Sequence, residues 1–123
     1  MAWIDRQTPQ GDEIFYDHIG YFVPDLDAAG AQLEKLGFQV SGINTQYNEN
    51  AAGELVLTGT SNKLVKLTRG FVEVLAATSQ SALADQLKQM LARYQGLHVI
   101  ALTHPDMDRT AARLSEVEIA TQE

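Results

Sequence analysis

Residues 16–38 constrain this chain more than any other segment, because they specify a strand, a helix start and a helix end in close succession. Alternating side chains predict a strand over residues 14–23, with His18 in its middle. Asp25 is a good N-cap for a helix whose apolar residues recur at three- and four-residue steps. Gly37 follows where a left-handed helix end is favoured. The segment therefore predicts a strand–helix unit.

A second copy of this unit lies 81 residues further along the chain. Residues 23–33 (VPDLDAAGAQL) align without a gap with residues 104–114 (HPDMDRTAARL), and each copy follows a strand that carries a histidine. His18 lies seven residues before its helix cap and His98 eight before its own, so that alignment on the caps pairs His18 with Val99. A β-bulge or a longer loop could return His98 to the face of His18. The echo indicates a duplicated module.

The residues between the copies predict strands, a hairpin and a linking helix. We expect a strand over residues 39–45, a turn over residues 59–62 and a hairpin over residues 63–76. An apolar stripe ahead of a glycine then predicts the linking helix. The predicted organisation is a leader (1–13), a first βαβββ module (14–78), the linking helix (79–96) and a partial second module (97–123).

Composition and charge narrow the class of function. The 123 residues suit one domain, and they carry a net charge of −7 with scattered lysines and arginines. An acidic chain without a basic stripe is a poor candidate for nucleic acid or anionic membranes. The chain has no cysteine, which excludes disulfides and thiolate metal sites and is compatible with the cytoplasm. We therefore expect a cytoplasmic protein with a small-molecule ligand.

Several short motifs together resemble one known superfamily. They are Asp17-His18-Ile19-Gly20, Val23-Pro24-Asp25-Leu26-Asp27, Leu36-Gly37-Phe38, Gly59-Thr60-Ser61-Asn62 and Gly70-Phe71-Val72-Glu73-Val74-Leu75. This set resembles the vicinal oxygen chelate superfamily, which includes glyoxalase I, extradiol dioxygenases and bleomycin-resistance proteins, and in particular its glyoxalase-like branch. The resemblance implies an α+β fold of paired βαβββ modules, with the second module truncated.

The resemblance also implies a site. His18 and Glu73 from the first module and His98 from the second match positions that hold a divalent ion such as Zn²⁺, Ni²⁺, Mn²⁺ or Fe²⁺ in metal-dependent members. Glu73 is then also the candidate catalytic group, and Asn62 and Phe22 are candidate substrate contacts. Glu73 shares its strand face with apolar neighbours, so alternation alone does not settle whether that face is buried.

Three functions stay open at this stage. The first is a metal-dependent lyase, isomerase or dioxygenase acting on a small oxygen-rich molecule. The second is a metal-free module that sequesters a small ligand, and the third is a piece of a longer protein or a shortened, inactive variant. Covalent catalysis has no support, because no nucleophile elbow, phosphate loop or dinucleotide fingerprint is present. An incomplete second sheet would leave an exposed edge, so we expect a homodimer.

Overall fold

The computed structural model describes residues 6–121, which fold into one mixed sheet with helices packed against it. The strand–helix order predicted for each copy of the repeat is present. The elements are β1 (Phe15–Phe22), α1 (Leu26–Lys35), β2 (Asn44–Glu49), β3 (Leu55–Lys66), β4 (Phe71–Ala77), α2 (Ala82–Leu91), β5 (Gly96–Thr103) and α3 (Met107–Glu116).

The strands are arranged in the order β2-β3-β4-β1-β5. Strands β2, β3 and β4 form an antiparallel meander, and β4 pairs in parallel with β1 after the α1 crossover. Strand β5 then pairs antiparallel with the other side of β1. The fold is therefore α+β, with a βαβββ unit whose sheet is extended by β5, and α3 follows β5.

Two of the local predictions are wrong in position. The strand expected over residues 39–45 begins later, at Asn44, and the turn expected over residues 59–62 lies inside the long strand β3. Thr60, Ser61 and Asn62 each pair with a residue of β4, and this ladder outweighs their turn propensity. Gly59 keeps a positive φ of 83° and marks an irregularity in that strand.

Helix α1 covers one face of the sheet. Val74 and Ala76 of β4 form the buried core cluster with Val23 and Leu26, and apolar residues of α1 pack against it. Because side chains alternate along a strand, Glu73 lies on the opposite face. The structure thus settles a question that alternation left open: the Val74 face is the core, and the Glu73 face is away from α1.

The pairing of β1 with β5 contains two irregularities. Residues Tyr16 and His18 pair with consecutive residues of β5, so Asp17 is the extra residue of a bulge in β1. Gly20 pairs with Val99, and the following pair skips His98, which is the extra residue in β5. Val99 rather than His98 therefore lies in the regular register, opposite Gly20.

Helix α3 is the one described helix without a buried residue. Its N-cap Asp106 accepts a hydrogen bond from the Arg109 amide at 2.9 Å, and Arg109 also pairs with Asp12. None of the described helices has the length and apolarity that crossing a bilayer requires.

Candidate active site

The candidate site is built around His18 and Glu73 on neighbouring strands. Glu73 is the register partner of Gly20 on β1, and His18 lies two residues before that glycine on the same face. His18 Nε2 is 3.8 Å from Glu73 Oε2, and the side chains retain 22% and 14% of their exposure. The two predicted groups from the first module are therefore brought together, half-buried and open to solvent.

The bulge in β1 fixes the orientation of the His18 ring. It brings the neighbouring Asp17 carboxylate to 2.7 Å from Nδ1, although adjacent side chains of a regular strand point to opposite faces. A carboxylate only accepts, so Nδ1 carries the proton, and Nε2 of the neutral ring presents a lone pair towards Glu73. Phe71 stacks on the ring with centroids 4.4 Å apart and planes 10° apart. His18 thus has a fixed tautomer and a fixed plane.

The Glu73 carboxylate is held by two side-chain amides. Asn62 donates from Nδ2 to Oε1 at 2.6 Å, and Gln46 donates from Nε2 to the same oxygen at 3.3 Å. Oε2 faces His18. The two oxygens therefore have different roles, with Oε1 engaged by the protein and Oε2 directed at the site.

This geometry fits two of the ligand positions of a divalent metal ion. With a neutral His18, two acceptor atoms face each other at 3.8 Å, and a cation between them is favourable. Metal–nitrogen and metal–oxygen bonds are about 2.1 Å long, so one ion spans a gap of up to ~4.2 Å. A carboxylate on the second ring nitrogen is also the usual support of a metal-bound histidine. His18 and Glu73 are thus suited to hold such an ion.

His98 lies on the same face but is not brought to the His18–Glu73 pair. Its ring is sandwiched between Phe22, at 4.6 Å, and Tyr94, at 4.1 Å, and its Nε2 donates to the Tyr94 carbonyl at 2.9 Å. Across residues 6–121 no group of three or more histidine, aspartate or glutamate side chains is placed to hold a metal ion. The structure therefore assembles two candidate ligands and leaves the third elsewhere.

Asn62 and Phe22 are the remaining predicted residues, and Asp17 and Gln46 are two that were not predicted. Asn62 and Phe22 are both buried, the first against Glu73 and the second beneath His98. Sequence reasoning did not find Asp17 or Gln46. Asp17 reaches the site only through the bulge, and no signal in a single sequence places Gln46 beside Glu73.

A cavity of about 670 Å³ opens where β1 and β4 begin. Phe71, which stacks on His18, lines both this cavity and a smaller recess of about 160 Å³ that reaches His18. Three basic residues face the larger cavity although the chain as a whole is acidic. They are Arg6, Lys66 and Arg69. His18 therefore lines a recess that adjoins the larger cavity through shared residues, among them Asp17 and Phe71.

The fold and the site together define a glyoxalase-like domain. A family model described as "Glyoxalase-like domain" matches residues 16–122, and the chain belongs to that family. It is thereby a member of the vicinal oxygen chelate superfamily, whose members often use divalent metals. A comparison with curated proteins finds no match.

Solved structures show the same fold. A methylmalonyl-CoA epimerase from Streptomyces coelicolor, in complex with 2-nitronate-propionyl-CoA, is 24% identical, with a TM-score of 0.62 over 89% of this chain and 73% of its own. A hypothetical protein, BH1468, from Bacillus halodurans C-125 is 20% identical, with a TM-score of 0.59 over 85% and 68%. A selenomethionine-labelled methylmalonyl-CoA epimerase is 26% identical, with a TM-score of 0.57 over 88% and 74%. The chain is thus similar to these proteins over most of its length but is shorter than they are.

Proposed function

We propose that this chain binds a small oxygen-rich molecule at the His18–Glu73 pair and, with a divalent metal ion, catalyses a lyase or isomerase reaction on it. The observation that supports this most directly is the 3.8 Å approach of two oriented acceptor atoms, His18 Nε2 and Glu73 Oε2. The epimerases among the structural neighbours favour isomerase-type chemistry over the dioxygenase alternative.

Each residue has a distinct role in this proposal. His18 and Glu73 would hold the ion, which when bound supplies Lewis acidity to a chelating substrate and stabilises enolate-like charge. Glu73 is also the proposed catalytic group, and Oε2 would accept or return a proton when it is released from the ion, because Oε1 already receives two amide donors. Asp17 holds the His18 ring, and Phe22 and Asn62 are the proposed substrate contacts. His98 is the proposed third ligand, and it would have to leave the Tyr94 carbonyl to reach the ion.

Metal titration tests this proposal. Protein freed of metal with EDTA is titrated with Zn²⁺, Ni²⁺, Mn²⁺ and Co²⁺ by calorimetry, and His18→Ala, Glu73→Ala and His98→Ala are measured alongside. We expect one ion per chain in the wild type and loss of binding in the first two variants. His98→Ala decides whether the third ligand takes part. Absence of binding to the wild type above background would exclude the metal-dependent function.

A metal-free binding module is the second candidate function. It is favoured by the engagement of His98 with Tyr94 and by the presence of only two candidate ligands in the described site. EDTA-treated protein would then be stabilised by small oxy-acids in a thermal-shift assay. His18→Ala should abolish that stabilisation, and an equal shift in the variant would place the ligand elsewhere.

We also propose that two copies of the chain associate through β5. Within the described residues this strand pairs only on the β1 side, and its Ile100 and Leu102 are 57% and 56% exposed. An unpaired apolar edge is a typical site of strand pairing between chains. Light scattering is expected to give twice the monomer mass, and Ile100→Lys to reduce it. A monomer at all concentrations would contradict the association.

A further inference from the structure

A buried chain of polar side chains lies behind the Glu73 carboxylate. Gln46 Nε2 donates to Glu73 Oε1, and Gln46 Oε1 accepts a hydrogen bond from the Thr60 hydroxyl at 2.6 Å. The Thr60 hydroxyl in turn lies 2.8 Å from that of Thr58. Thr60 is 1% exposed and Thr58 8%. This series of hydrogen bonds therefore runs from the buried Thr58 and Thr60 of β3 to the Glu73 carboxylate.

The NH₂ group of an amide donates hydrogen bonds and its oxygen accepts them, so the series of hydrogen bonds behind Glu73 has a direction. An ionised Glu73 only accepts hydrogen bonds, so Gln46 must turn its NH₂ group to the carboxylate and its oxygen away. The oxygen then needs a donor, which the Thr60 hydroxyl supplies. If Gln46 rotated by 180°, its oxygen would face Glu73 Oε1 and two acceptors would repel each other. Glu73 therefore excludes the reversed orientation of Gln46, and Thr60 supplies the donor that the remaining orientation requires.

Asn62 is held in the same manner. It donates from Nδ2 to Glu73 Oε1, and its own oxygen accepts from Asn44 Nδ2 at 3.2 Å. Glu73 thus receives two amide donors, each supported from behind by a second donor. Both act on Oε1, which leaves Oε2 as the oxygen directed at His18.

We infer that Gln46 is a positioning residue for Glu73, that Thr60 supports its amide from behind, and that this arrangement leaves Oε2 as the carboxylate oxygen directed at the site. The inference rests on the proposed role of Glu73. Buried polar groups that are all satisfied favour a single arrangement, whereas a partly satisfied group loses it. Substitution of Thr60 should therefore act on Glu73 through Gln46 without touching the site.

Side-chain amide NMR tests this inference without any ligand. The exchange of the Gln46 and Asn62 side-chain NH₂ protons with water is measured at one pH in the wild type and in Glu73→Leu, in which both amides lose their acceptor. Both NH₂ groups are expected to be protected in the wild type and to exchange faster in Glu73→Leu.

The Thr60 variants separate the two amides. In Thr60→Val, which keeps the shape and removes the hydroxyl, the Gln46 NH₂ group should exchange faster with water, whereas that of Asn62 stays protected. Thr60→Ser should restore the protection of Gln46. Ser61→Ala is the matched control, because it removes a hydroxyl that bonds Thr78 and none of the side chains behind Glu73. Unchanged protection of Gln46 in Thr60→Val would overturn the inference.

If Thr60→Val does not fold, Gln46→Leu provides a second test. In Gln46→Leu the carboxylate loses one donor, and the Asn62 amide is then expected to exchange faster with water. Unchanged Asn62 exchange would equally overturn the positioning role. Failure of a metal ion or ligand to bind would exclude the proposed function without changing these NMR results. Failure of the proposed function and failure of the positioning role are therefore distinguishable.

Discussion

Asp17 and His18 are neighbours in the sequence whose side chains meet on one face of the sheet, with 2.7 Å between Oδ2 and Nδ1. The bulge at Asp17 makes this contact possible. The result is a histidine whose Nε2 is aimed at Glu73 and whose Nδ1 is supported by a carboxylate, the arrangement that is usual for a metal-bound histidine.

Asp17→Ala is therefore expected to release the His18 ring. Without the carboxylate, Nδ1 loses its acceptor, and the neutral ring should become a mixture of tautomers in long-range proton–nitrogen NMR spectra. Divalent-ion binding should weaken by about 10- to 100-fold, as for other supporting partners of metal-bound histidines. Asp85→Ala, at an exposed position on α2, is the control. A single unchanged tautomer in Asp17→Ala would contradict the orienting role.

Val99→His is expected to strengthen metal binding. Val99 is the register partner of Gly20, which is itself the partner of Glu73, so a histidine there would join the row of the site. A third ligand should raise the affinity for Zn²⁺ or Co²⁺ at least about tenfold, or ~1.4 kcal/mol. Ile100→His, one residue further along the strand, should not. Equal affinities for the two variants in calorimetric titrations would show that residue 99 does not face the pair.

Gly20→Ala is expected to destabilise the protein. A Cβ at this position would lie 2.9 Å from Val99 Cβ, which belongs to a paired strand and has little freedom to move. Overpacking of this kind typically costs about 1–3 kcal/mol. Gly42→Ala is the matched control, because a Cβ there meets nothing within 4 Å. Urea unfolding should give a lower free energy of unfolding for Gly20→Ala than for Gly42→Ala. Equal values would mean that β1 and β5 can move apart at little energetic cost.

The helix caps Asp25 and Asp106 should contribute differently to the free energy of unfolding. Asp25 accepts from the Asp27 and Ala28 amides at 2.9 Å, and its helix α1 packs on the core, so Asp25→Ala should lower the free energy of unfolding by about 1 kcal/mol. Asp106→Ala should instead fray α3 locally, because α3 has no buried residue. Denaturant unfolding combined with amide exchange distinguishes these effects. A large global loss in Asp106→Ala would indicate that α3 is packed more firmly than its exposure suggests.

The pKa of Glu13 provides a test of the segment before β1. The Arg6 side chain donates to Glu13 Oε1 at 2.5 Å, and the backbone amide of Gln10 donates to Oε2 at 2.8 Å. Together these hydrogen bonds lower the pKa of the Glu13 carboxyl. Arg6→Ala should raise that pKa towards its ordinary value in an NMR titration. Gln10→Ala should have little effect, because its contribution comes from the backbone. An unchanged pKa in Arg6→Ala would show that the ion pair is not formed in solution.

Local signals were sufficient for the strand–helix units. The cap at Asp25, the apolar stripe and the glycine after the helix act within one or two turns, so a single sequence contains the information that specifies them. The echo at Asp106 specified the second unit in the same way. Motif resemblance then identified His18 and Glu73, which the register of β1 and β4 brings together.

Long-range pairing decided the rest. The turn predicted over residues 59–62 became part of a strand because Thr60, Ser61 and Asn62 pair with residues of β4, and local propensity does not contain the energy of that pairing. Gln46 likewise reached Glu73 from a distant strand.

The opening segment shows both contributions. By itself, the sequence of residues 16–38 determined that a strand with a central histidine leads into a capped helix, because these preferences are local. Only the tertiary structure decided that Asp17 would form a bulge and hold His18, and that the matching strand would present Val99 where a third ligand was expected. A bulge depends on how two strands share their hydrogen bonds, and one strand alone cannot specify that.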